Sequence, residues 1–165
     1  MHKIAQDIIA AITTKQLSKE AEKFITHWLS DEDKTSEDRM ILDQLARSNA
    51  KPYNGGNLFR GCKELMDDTA ESYTISINVA GRFAGNDGYV IAIDSERFIF
   101  DTFDLSNFVC DLIGDIITGE EENDGRFSEE FLNAYDERSG EDEVFVVTAL
   151  DCSIVMKTHA IGSEI

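Results

Sequence analysis

Three short stretches of this 165-residue chain carry side chains that could do chemistry together. The first is Leu58-Phe59-Arg60-Gly61, a permanent cation set in an apolar run. Burying a guanidinium without an anionic partner is costly, so Arg60 either holds an anion or turns to water from a sheet edge. The second is the alternation of Ser72, Thr74 and Ser76 with Tyr73, Ile75 and Ile77. Three hydroxyls on one side of a strand can hold a polar side chain or ligand, or form a solvated face. The third is Glu141-Asp142-Glu143, which leads directly into Val144-Phe145-Val146-Val147. A period of two points Glu141 and Glu143 to the same side, where two carboxylates repel and one tends to be hydrogen-bonded or protonated. Among 33 acidic residues such a pair also arises by chance.

The periodicity supplies elements to carry these stretches. Ile4, Ile8, Ile9 and Ile12 form one helical stripe, and Ala21, Phe24, Ile25, Trp28 and Leu29 form a second. Thr35 followed by Asp38 resembles a capping box before Ile41, Leu42 and Leu45, which predicts a third helix ending near 48–50. Lys51 to Gly56 reads as a connection, because Pro52 disfavours helix before it and Gly55-Gly56 breaks the pattern. Strands are predicted around 57–61, 72–79, 89–94, 98–102, 143–148 and 152–157, with a short helix at 81–84. Helical spacing returns at Phe108, Val109, Leu112, Ile113, Ile116 and Ile117 and around Phe131, Leu132 and Tyr135, on either side of an acidic stretch at 119–124. The expected architecture is α+β: N-terminal helices packed on a mostly antiparallel sheet, in a single domain over 1–165 with a helical part at 1–50 and a core at 57–157.

Composition bounds the function. With 15 basic and 33 acidic residues the net charge is −18, of which −2 falls in residues 1–50 and −16 in 51–165. Such a surface repels phosphates of nucleic acids and anionic membranes, and is suited to solubility or to a basic protein partner. No apolar run approaches the ~20 residues of a membrane helix, and the N-terminus lacks an export pattern, so a cytoplasmic protein is expected. Cys62, Cys110 and Cys152 are unpaired in spacing and fit a reducing compartment, and the three histidines lack metal-ligand spacing.

Taken in order, an arginine on a first strand, a serine/threonine strand and a Glu-x-Glu opening a later strand resemble the arginine–serine–glutamate pattern of mono-ADP-ribosyltransferases. The middle match, Thr74-Ile75-Ser76-Ile77 followed by Ala80 and Phe83, is the most telling. The arrangement is most similar to small phage-encoded transferases, which carry an Arg-Gly strand, a segment comparable to Ser72-Tyr73-Thr74-Ile75-Ser76 and a helical N-terminal part. The resemblance spans about residues 57–157. Ile75 stands where the family usually has threonine, the interval from Arg60 to Thr74 is short, and the acidic stretch shares no motif with the family's target-recognition loop.

The resemblance implies a split sheet of the ADP-ribosyltransferase type, cleavage of the nicotinamide–ribose bond of NAD and transfer of ADP-ribose to an arginine of a host protein, such as a transcription or translation component, in the host cytoplasm. Positive charge develops on the ribose during such cleavage, and a fixed carboxylate stabilises it. The resemblance assigns that role to Glu143, orientation of Glu143 to Thr74, and proton acceptance from the incoming nucleophile to Glu141. Arg60 would hold the diphosphate, with Gly61, Ser76 and Phe83 also in contact with NAD, and no metal is implied. A reading from another class is an acidic, non-catalytic binding or inhibitor protein acting on a basic host factor.

Overall fold

The computed structural model describes residues 1–30, 33–53, 55–63, 72–93, 100–138 and 143–147, together with the backbone of 154–157. It is an α+β fold of helices and an antiparallel sheet. The chain divides into two compact units, residues 1–49 with 105–140, and residues 50–104 with 141–165.

The first unit is helical. It contains α1 (Lys3–Thr14), α2 (Lys19–Ser30), α3 (Ser36–Asn49), α5 (Leu105–Ile117) and α6 (Glu129–Arg138), while α4 (Ile77–Ala84) belongs to the other unit. Helices α1, α2, α3 and α6 start where a polar side chain accepts from one of their free amides. His2 Nδ1 accepts from Ile4 N at 3.1 Å, Ser18 Oγ from Ala21 N at 3.1 Å, and Ser128 Oγ from Phe131 N at 3.2 Å. Thr35 and Asp38 form the expected reciprocal box, with Thr35 N donating to Asp38 Oδ2 at 2.8 Å and Asp38 N to Thr35 Oγ1 at 3.1 Å. The stripe of α1 is rotated from the expected one: Ala5, Ile8 and Ala11 are buried, whereas Ile12 is 40% exposed. Small residues allow α1 to approach α2, α3 and α5 closely, and α2 packs along α6. The acidic stretch is a closed turn, not an open loop. Asn123 Oδ1 accepts from Phe127 N at 2.9 Å, and Arg126 bridges back to Glu121 at 2.7 Å.

The second unit holds α4 (Ile77–Ala84) and strands β1 (Lys51–Pro52), β2 (Leu58–Cys62), β3 (Ser72–Thr74), β4 (Tyr89–Ile93), β5 (Asp101–Phe103), β6 (Glu143–Val146) and β7 (Ile154–Lys157). The strands form one sheet in the order β1-β5-β6-β3-β2-β4-β7, and every neighbouring pair is antiparallel. Two expectations change here. Lys51-Pro52, read as a connection, is an edge strand paired with β5, a position where proline's missing N–H costs no ladder bond. The strand expected to run to Val79 stops at Thr74, because Ser76 caps α4 by accepting from Val79 N at 3.3 Å. The expected strand over 98–102 falls partly outside the described residues, and β5 begins at Asp101.

The two faces of this sheet have different neighbours. On one, Phe59 and Ile77 pack with Ala80, Ala84 and Val90, so this is the face that α4 covers. The other carries Leu58, Tyr73, Ile93, Phe100, Val144 and Val146, with Tyr53 and Ile91 against them. Alternation along β2, β3, β4 and β6 then assigns their side chains to one face or the other.

Candidate functional site

Glu143, Thr74 and Ser72 come together on the α4 face. β3 and β6 are neighbours, and their register sets Thr74 directly opposite Glu143 and Ser72 opposite Phe145. The Ser72 hydroxyl donates to Glu143 Oε2 at 2.9 Å, across 71 positions of sequence. Cross-strand partners and their diagonal neighbours lie within side-chain reach, so a serine two residues before Thr74 can hold the carboxylate. Glu143 is half-buried at the first position of β6. Thr74 is 6% exposed and is the one buried polar side chain among the described residues. Its Oγ1 accepts from Ser76 N at 3.1 Å, which turns the chain out of β3 towards α4.

A hydroxyl donating to a half-buried carboxylate fixes one oxygen and holds a negative charge in place, where it can oppose nearby positive charge. That is the chemical capacity of the cluster. Among the described residues no group of three or more histidine, cysteine, aspartate or glutamate side chains is arranged to hold a metal ion.

The remaining candidates are distributed differently. Arg60 has the strand parity of Leu58, not of Phe59, and so projects from the face opposite Glu143. There its Nη1 donates to the Ser72 carbonyl oxygen at 3.4 Å. The guanidinium neighbours Tyr73 and Cys62. Burial pushes the Tyr73 phenol up, the Arg60 charge pulls it down and Cys62 pushes it up, with a net rise. Burial likewise raises the Cys62 thiol, against the opposing pull of Arg60.

Gly61 lies under α4, where a Cβ would come 1.9 Å from the Ala80 carbonyl oxygen and 2.7 Å from Ala84 N. Its glycine is accounted for by helix-to-strand packing. Ser76 is half-buried and its hydroxyl is the α4 cap. Phe83 is 51% exposed on α4. Glu141 lies outside the described residues, as do Glu64 to Glu71.

The residue that sequence reasoning undervalued is Ser72. Ser72 lies on the hydroxyl face with Thr74 and Ser76, and only the β3–β6 register places its hydroxyl against the carboxylate. The alternation of hydroxyls was the available signal, and it could not distinguish among its three members.

No protein-family model matches the chain, and neither a curated protein nor a solved structure matches it.

Proposed function

We propose that the chain is an NAD-dependent mono-ADP-ribosyltransferase acting through Glu143. The observation that carries this reading is the Ser72–Glu143 hydrogen bond at 2.9 Å, with Thr74 paired opposite the same carboxylate. Heterolysis of the nicotinamide–ribose bond generates positive charge on the ribose, and a carboxylate held by a hydroxyl is suited to oppose it and to accept from a ribose hydroxyl. Ser72 joins in orienting Glu143, and Thr74, paired directly opposite, keeps the orienting role the resemblance gives it and also supports the turn that brings α4 against the sheet. The resemblance supplies the rest: NAD as the glycosyl donor, an arginine of an acceptor protein as the nucleophile, and Glu141 as the proton acceptor. Arg60 lies on the opposite face of the sheet from Glu143 and has no role in this reading.

The test is release of nicotinamide from NAD, followed together with labelling of acceptor proteins in a lysate. Release and labelling by the intact chain, both lost in Glu143→Gln, support the reading. No nicotinamide from the intact chain overturns it.

A second reading is favoured by one observation, the separation of Arg60 from Glu143 onto opposite faces, in a chain whose residues 51–165 carry −16. An anionic dinucleotide meets unfavourable potential there unless another cation offsets it. An acidic protein that captures a basic partner has no such requirement. Retention of a basic protein that weakens steeply with salt, with no nicotinamide formed, supports this alternative.

A further inference from the structure

We draw no further inference here: the strongest candidate, the exposed apolar pair Ile75 and Phe83 at the two ends of α4, carries nothing because nothing in the structure shows what covers it.

Discussion

Ser72 donates its hydroxyl to the Glu143 carboxylate at 2.9 Å, although the two residues lie 71 positions apart and on different strands. A charge-assisted hydrogen bond of this kind contributes about 1.5–3 kcal/mol. It holds Glu143 Oε2 in place across the β3–β6 pair. Removing the charge by Glu143→Gln is expected to lower nicotinamide release by about 10²- to 10³-fold, the range seen when a preorganised electrostatic group is lost. Ser72→Ala keeps the charge but loses its anchor, and is expected to cost about tenfold. Equal activity of Ser72→Ala and the parent chain in a stopped assay of nicotinamide would remove Ser72 from the site.

Arg60 gives a sharper division between the two readings of its role. From the second face it bonds the Ser72 carbonyl and sits beside Tyr73 and Cys62. Arg60→Ala is therefore expected to lower stability by about 1 kcal/mol while leaving the KM for NAD within error. A tenfold rise in KM with an unchanged urea midpoint would return Arg60 to the dinucleotide.

Gly61 is predicted to tolerate no side chain. A Cβ 1.9 Å from the Ala80 carbonyl oxygen forces the helix and the strand apart. Gly61→Ala should destabilise the fold by about 1–3 kcal/mol, the usual cost of overpacking, read as a lower midpoint of denaturation. A variant of full stability that binds NAD poorly would instead favour contact between this glycine and the ligand.

The start of α3 sets an acid limit. Burial pushes the Asp38 carboxyl up, but hydrogen bonds with Thr35 and the charge of His27, 3.3 Å away, outweigh it and hold the group below its ordinary value. A carboxyl depressed in the folded state contributes stability that is complete above the unfolded value of about 3.9 and is lost as pH falls through the folded one. The parent chain should lose stability below about pH 4, and Asp38→Asn should lose less over that interval. Thr35→Ala should cost about 1 kcal/mol at neutral pH. Identical acid profiles for Asp38→Asn and the parent would show that the box contributes no linkage.

The thiols offer a check on the second face of the sheet. Cys62 is half-buried with its thiol pushed up, whereas Cys110 is exposed on α5. Since the thiolate is the reacting form, alkylation at pH 7.5 followed by peptide mass spectrometry should mark Cys110 well before Cys62. Faster labelling of Cys62 would contradict the burial assigned to it.

Much of this architecture was legible in the amino-acid string, because helix periodicity and capping are local. Ala21, Phe24, Ile25 and Trp28 are buried on α2 as their spacing requires, and the Thr35–Asp38 box forms as written. The strands containing Arg60, Thr74 and Glu143 were likewise readable from runs of alternating or apolar residues. Local pattern failed where two patterns overlapped: the alternation from Ser72 to Val79 continues through a segment in which Ser76 caps a helix, and capping won.

Tertiary structure alone decided which candidates meet. A strand's period is two, so the face that any residue occupies relative to another strand depends on their register, and a shift of one residue exchanges the faces. Pairing of Phe59 with Thr74, and of Thr74 with Glu143, puts the carboxylate and both hydroxyls of β3 on the α4 side and Arg60 on the other. Nothing within a single segment carries that information, since register is fixed by contacts between strands and by what each face buries. The same holds for residues 105–140, which join the helices of 1–49 despite lying between two strands of the sheet unit. Sequence thus determined the chemical groups and the elements that carry them, and packing determined their company.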